Sequence, residues 1–233
     1  MKPLVSVIAP IYNEKKTLEI NIEKIRTALA DYSHEIIIVD DNSPDGSGEI
    51  ADSLAKKYND IKVLHRPTKL GLGTAYKDGF HLTNGALLVS IDSDLSHDPD
   101  YLPELIAKSN DYDIVIGSRL ISGGKIIGRD FTRDFLSYFT NLVIRKLLRR
   151  RIYDWTSGYR VYRRSAWEAV MPQVHCDKWD FQFESLYKAL KMKQNVTEIP
   201  ITFYERADGN SKFTTCDALG FIDSFVQIIL GLK

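Results

Sequence analysis

The sequence predicts an α/β fold: a mostly parallel sheet flanked by helices, with amphipathic helices in the second half. Three observations lead there. Strand-like and helix-like segments alternate through the first half of the chain. The runs Ile36-Ile37-Ile38-Val39 and Leu87-Leu88-Val89 are continuously apolar, as strands become when helices cover both faces of a sheet. Polar clusters follow three expected strand ends, at Pro10-Ile11-Tyr12-Asn13-Glu14, at Asp40-Asp41-Asn42-Ser43-Pro44-Asp45 and at Asp92-Ser93-Asp94.

The elements are read in order. A strand from Val5 to Ala9 precedes a helix from Lys16 to Tyr32, for which Asn13 and Glu14 are capping candidates. A strand from Glu35 to Asp40, a helix from Gly46 to Tyr58, a strand from Ile61 to His65 and a helix from Gly73 to Thr83 follow. The apolar run Ala86 to Ile91 delivers Asp92 and Asp94 to a strand end, and a strand from Asp113 to Gly117 leads into Ser118-Arg119 and the loop Ser122-Gly123-Gly124-Lys125. Three β-α steps imply parallel strands, and ligands collect at the C-terminal ends of such strands. In the second half Phe135, Leu136, Phe139, Leu142, Val143, Leu147 and Leu148 recur at helical spacing and end in Arg149-Arg150-Arg151; a second run extends from Ala218 to Leu232. Each is read either as an interfacial membrane helix or as a helix packed into the core.

Composition bounds the function. At 233 residues, 44% hydrophobic and 27% charged, the chain can bury a substantial core and is expected to form one domain over residues 1–233. Lys plus Arg equals Asp plus Glu at 31 each, which argues against a wholly basic nucleic-acid binder, and no nucleic-acid partner is expected. The even total hides a cationic segment: Arg119 to Arg164 holds twelve basic and three acidic residues, a surplus of nine. Cys176 and Cys216 lack zinc-site spacing. No apolar run approaches the roughly 20 residues of a membrane span, and Met1-Lys2-Pro3-Leu4 opens into a strand rather than a signal peptide. A cytoplasmic location is expected.

Carboxylates two apart at a strand end, Asp92 and Asp94, can share a hard divalent cation, Mg or Mn, that neutralises a nucleotide diphosphate. An isolated Asp-Ser-Asp can equally form a polar turn. Gly71-Leu72-Gly73 is read as letting backbone approach a nucleotide; no Gly-Lys-Ser/Thr follows, so it is not a P-loop.

Pro10 to Glu14, Val39-Asp40-Asp41-Asn42-Ser43, the Asp92/Asp94 pair and Gly117-Ser118-Arg119 resemble the inverting glycosyltransferases of the GT-A (Rossmann-like) fold. Asp92-Ser93-Asp94-Leu95-Ser96-His97, Thr156-Ser157-Gly158-Tyr159-Arg160, Phe181-Gln182-Phe183-Glu184, Glu198-Ile199-Pro200-Ile201, Arg206 and Gly209-Asn210-Ser211-Lys212 narrow that resemblance to the dolichyl-phosphate mannose synthase family, over nearly the whole chain. The resemblance implies that Pro10, Tyr12, Glu14, Val39 and Asp41 hold the nucleoside and that Gly71, Ser93 and Lys178 border the donor. It implies that Asp92, Asp94 and Ser96 hold the metal, and that Arg119, Arg206 and Lys212 meet the diphosphate. Asp92, Asp94 and Arg119 are then the catalytic groups, and Arg129, Arg133 and Ser137 bind the acceptor phosphate. Ser96 stands where some relatives carry Gln, Asp154-Trp155-Thr156 stands where relatives often have Asp-Pro-Thr, and His97 is read as a solvated turn cap rather than a ligand.

The activity so implied is inverting transfer of mannose from GDP-mannose to dolichyl or polyprenyl phosphate, at the cytoplasmic face of a membrane, with or without a membrane-anchoring subunit. A phosphate acceptor is already anionic, so it needs positioning and charge compensation but no general base. The alternatives are UDP-glucose or another nucleotide sugar with the same lipid, a saccharide elongation using Asp154, Asp180 or Glu184 as base, and an inactive nucleotide-sugar-binding scaffold.

Overall fold

The structure is a computed structural model that describes residues 3–205 and 215–230, the side chains of 215–219 and 222 excepted. Its sheet begins with β1 (Val5–Ile11), α1 (Leu18–Ala28), β2 (His34–Asp40), α2 (Ser47–Lys57), β3 (Ile61–His65), α3 (Leu72–Phe80) and β4 (Leu87–Ser90). The boundaries lie within a few residues of expectation. The first helix is preceded by a turn in which the Glu14 carbonyl accepts the amides of Thr17 and Leu18; Asn13, at a left-handed φ of 57°, does not cap it.

Beyond β4 come α4 (Leu102–Lys108), β5 (Ile114–Ser118), β6 (Lys125–Ile127), α5 (Phe131–Leu148), β7 (Arg160–Arg163) and α6 (Arg164–Val170). They are followed by α7 (Phe181–Lys191), β8 (Val196–Pro200), β9 (Thr202–Tyr204) and α8 (Thr215–Leu230). The seven-stranded sheet has the order β3-β2-β1-β4-β7-β5-β8. Its described pairings are parallel except that β7 runs antiparallel to both β4 and β5. A parallel two-stranded ribbon, β6 with β9, lies apart.

Alternate residues of the apolar strands enter two cores. Val5, Val7, Ala9, Ile36 and Ile38 pack with Leu18, Ile22 and Ile25 of α1, Ala51 and Leu54 of α2 and Leu102 and Leu105 of α4. Ile8, Ile37, Val39 and Leu88 pack on the other face with Ala75 and Tyr76 of α3, Trp167 of α6 and Phe181 and Phe183 of α7. Two-sided coverage is the reason these strands do not alternate. It leaves the C-terminal ends of β1, β2, β4 and β5 along one edge.

The two amphipathic helices have different fates. Helix α8 packs Phe221 and Phe225 onto Phe183, with ring centroids 5.9 and 5.1 Å apart, and buries Ile228. Helix α5 buries Asn141 and Ile144 but leaves Phe131, Phe135, Leu136, Tyr138, Phe139 and Leu147 exposed, Phe131 by 81%. No described helix is long and apolar enough to cross a membrane.

Candidate active site

Two loops meet first at the edge. The amides of Asn13, Glu14 and Lys15, after β1, donate to Ser43 Oγ, Ser47 Oγ and Asp45 Oδ2, after β2, at 3.1, 2.8 and 3.0 Å. Asp41 is buried against Arg66, whose guanidinium also donates to Thr74 Oγ1 at 2.7 Å, to Asp78 at 3.2 Å and to the Gly71 carbonyl at 3.0 Å. Burial pushes the Asp41 carboxyl up and outweighs the pull of Arg66. Arg66 lies 25 residues from Asp41, and no motif marks it. Tyr12 carries Lys69 Nζ 4.3 Å above its ring, and Pro10 sits beside Val39 in the sheet register. The Val39 side chain is fully buried in the core, so only its main chain can meet a nucleoside.

Gly71 permits a close approach, and the one described is that of the chain itself. Its φ is +115°, and a Cβ there would lie 2.3 Å from the Asp177 carbonyl oxygen and 3.4 Å from Lys178 Cγ. The Gly73 amide donates to that same carbonyl at 2.9 Å, and a Cβ on Gly73 would strike Phe181. These glycines seat the chain preceding α7. They bring exposed Lys178 to the edge from more than a hundred residues away.

After β4, Asp92 and Asp94 flank buried Ser93, whose hydroxyl has no hydrogen-bond partner. Asp94 Oδ1 accepts the Ser96 amide at 3.0 Å and the Ser96 hydroxyl at 2.5 Å, so Ser96 orients Asp94. The Asp92 amide donates to Nδ1 of fully buried His97 at 3.4 Å, and burial lowers the imidazole pKa. Its Nδ1 thus accepts the turn's own amide, and His97 closes the turn from a buried position rather than as the solvated cap expected, because its ring packs against Tyr159 and Phe203. A Cβ on Gly158 would sit 3.6 Å from Asp92 Oδ1 and 3.4 Å from the amide nitrogen of Gln182, whose buried polar atoms lack partners. The described residues contain no cluster of three His, Cys, Asp or Glu able to hold a metal. Two carboxylates beside serine oxygens nonetheless suit a hard cation that keeps waters and takes its remaining ligands from phosphates.

Arg119, after β5, is buried and clamped by Asp154. Its Nε and one terminal nitrogen donate to the two carboxylate oxygens at 2.7 Å each, and its own amide adds a bond at 3.0 Å. Burial opposes ionisation of Asp154, but the Arg119 charge and hydrogen bonds win and lower the pKa. Asp154 is thereby a poor general base. Glu198 steadies the clamp by accepting the Tyr153 and Asp154 amides at 2.9 and 2.8 Å. Of the other base candidates, fully buried Glu184 accepts the His175 and Cys176 amides, and Asp180 accepts the Ser224 hydroxyl.

The Arg119 guanidinium reaches Thr156 Oγ1 at 2.9 Å, Asn141 Nδ2 reaches that hydroxyl at 3.3 Å, and the same Nδ2 donates to the Ser137 carbonyl at 2.9 Å. One helix turn before Ser137 stands Arg133, which with Arg129 pairs with Glu205 at 3.1 and 3.0 Å. Asp154, Thr156 and Asn141 thus connect Arg119 to the Ser137 main chain, and Glu205 joins Arg129 to Arg133. Three residues of the cationic surplus brace the scaffold rather than facing the site. Arg160, fully buried, donates to the Ser157 and Trp155 carbonyls, and Arg163 and Arg164 to those of Ser109 and Gly85. Arg206 and Lys212 lie outside the described residues.

Comparison with known proteins gives the family and the fold. Residues 6–171 match the model of glycosyl transferase family 2. The chain is 37% identical, over 90% of its length and 87% of the relative's, to an undecaprenyl-phosphate mannosyltransferase of Micrococcus luteus. It is 39% identical, over 89% of its length and 80% of the relative's, to a polyprenol monophosphomannose synthase of Mycolicibacterium smegmatis. Among solved structures it is similar to a mannosyltransferase from Pyrobaculum calidifontis in complex with GDP-Man and Mn2+, at TM-score 0.64 and 20% identity, over 91% of this chain and 59% of that one. It is also similar to glucosyl-3-phosphoglycerate synthase from Mycobacterium tuberculosis with Mn2+ and UDP-glucose, at TM-score 0.71 and 17% identity, over 98% of this chain and 78% of that one. Both structural likenesses are of fold, the GT-A fold.

Proposed function

The chain belongs to glycosyl transferase family 2, and from that premise we propose that it transfers mannose from GDP-mannose to a dolichyl or polyprenyl phosphate with inversion, as a single catalytic domain. The two relatives described above are named for transfer of mannose to such lipids. The observation that carries the reading is the chain of contacts from Arg119 through Thr156 and Asn141 to the helix turn bearing Ser137 and Arg133. It ties a cation beside the Asp92/Asp94 edge to a cation pair suited to an incoming phosphate.

In this reading Tyr12, Glu14 and Asp41 meet the nucleoside, and Asp92 and Asp94 hold a Mg or Mn ion, which supplies charge compensation to the diphosphate when bound. Arg119, kept rigid by Asp154, faces the negative charge that develops on the departing nucleotide. Arg129 and Arg133 hold the lipid phosphate behind the anomeric carbon; its oxygen is already ionised and attacks without a base. The exposed apolar side of α5, followed by Arg149, Arg150 and Arg151, rests on the cytoplasmic membrane surface where the acceptor resides.

The decisive assay supplies labelled GDP-mannose or UDP-glucose, a polyprenyl phosphate and Mg or Mn, and measures label extracted with the lipid. Label from GDP-mannose, abolished by chelator and restored by metal, is the expected outcome. Label from UDP-glucose alone overturns the donor, and no lipid label from either overturns the reaction.

A further inference from the structure

The carboxylate of Glu205 holds both arginines proposed to take the acceptor phosphate: Oε2 accepts from Arg129 Nε at 3.0 Å and Oε1 from Arg133 at 3.1 Å. Its position is set by the backbone. The Glu205 amide donates to the Ile127 carbonyl at 2.8 Å, extending the β6-β9 ribbon by one bond. Gly128, at φ +83°, then turns the chain so that Arg129 lies back over the ribbon, its guanidinium 4.9 Å from the Phe203 ring. Asp134 approaches Arg129 at 3.8 Å. Two arginines against Glu205 and Asp134 sum to zero charge.

We propose that Glu205 is a specificity-determining residue of the acceptor site: its carboxylate occupies the arginine pair and yields only to a phosphomonoester dianion. This rests on the reading of Arg129 and Arg133 given above. A phosphomonoester carries about −1.5 to −2 charge at pH 7 and three acceptor oxygens, and arginine pairs bidentately with such groups. A phosphodiester, with a single charge, offers the arginines no more than Glu205 already does. Transfer of a sugar to a lipid phosphate converts a dianionic monoester into a monoanionic diester. The same carboxylate that yields to substrate therefore reclaims the arginines from product, so Glu205 both selects the acceptor and drives product release.

Glu205→Gln removes the charge while keeping size and the main-chain bond to Ile127. The expected result is a KM for polyprenyl phosphate lower by about two- to fivefold, the size of one partly exposed ion pair. Binding of farnesyl phosphate and of its methyl diester, each competing with the lipid acceptor, gives the second readout. The preference for monoester over diester shrinks in Glu205→Gln and stays at the wild-type level in Glu205→Asp. A raised KM, or an unchanged preference, overturns the proposal and leaves Glu205 as a brace for the arginines. Arg133→Gln separates the two levels: if it leaves the KM for lipid phosphate unchanged, the acceptor reading itself falls, whatever Glu205 does.

Discussion

Arg119 is a buried cation whose position depends on one carboxylate 35 residues away in sequence. Asp154 contributes three hydrogen bonds to it and is itself wholly excluded from solvent. Removing one partner of such a pair leaves an uncompensated buried charge, which costs about 3–5 kcal/mol. Asp154→Asn is therefore expected to lower stability by that amount in urea denaturation, and to depress kcat for glycosyl transfer because Arg119 loses its fixed orientation. The pair also sets an acid limit. The folded chain keeps Asp154 deprotonated at pH values where the unfolded chain protonates it, so this contribution is present above the ordinary carboxylate pKa and lost as pH falls through the lowered one. Arg119 itself was recognisable from its place after a strand, but Asp154 was not. Asp154 stood out only as the head of Asp154-Trp155-Thr156 and as a candidate base, and nothing local marks its pairing with Arg119.

At the scale of elements, α5 and α8 share a sequence character and part ways in the fold. Both have broad apolar faces, yet the Phe221 and Phe225 side of α8 meets the aromatic cluster of α7, whereas Phe135 and Phe139 of α5 stack on each other at 6.1 Å and face outward. Hydrophobic spacing reports that a face needs covering, not what covers it. Replacing both Phe135 and Phe139 by Ser is expected to change stability by less than about 0.5 kcal/mol, since neither side chain fills the core. It should weaken binding to anionic lipid vesicles by about tenfold or more, given about 1.5–3 kcal/mol for each buried Phe. Cosedimentation with vesicles checks this; undiminished binding would place the membrane contact elsewhere. Strand β7 was missed for a related reason. Arg160-Val161-Tyr162-Arg163 reads as polar, and Arg160 is buried only because Trp155, Ser157, Tyr162 and Ser185 supply oxygens for its guanidinium.

At the scale of the whole molecule, the site is assembled where distant segments approach closely enough to exclude a side chain. Gly71 admits the Asp177 carbonyl and so brings Lys178 toward the edge that carries Asp41 and Arg66. Gly71→Ala imposes a clash together with an unfavourable backbone conformation, about 1–3 kcal/mol for the backbone alone. It is expected to lower the melting temperature and to raise the KM for the nucleotide sugar more than that for the lipid phosphate, whose proposed site is at Arg129 and Arg133. Equal effects on both substrates would disconnect this loop from the donor side. The sequence by itself determined the β-α alternation, the parallel character of the sheet, the edge carrying Asp41, Asp92 and Arg119, and the family, because each of these is written in local periodicity or in short contiguous motifs. Only the tertiary structure decided that Arg66 and Asp154 hold that edge in place, that β7 runs antiparallel through it, that α8 is core while α5 is surface, and that Glu205 pairs with Arg129 and Arg133. Those features are ion pairs and close contacts between residues tens of positions apart, and their strength comes from desolvation and geometry, which exist only once the chain has folded.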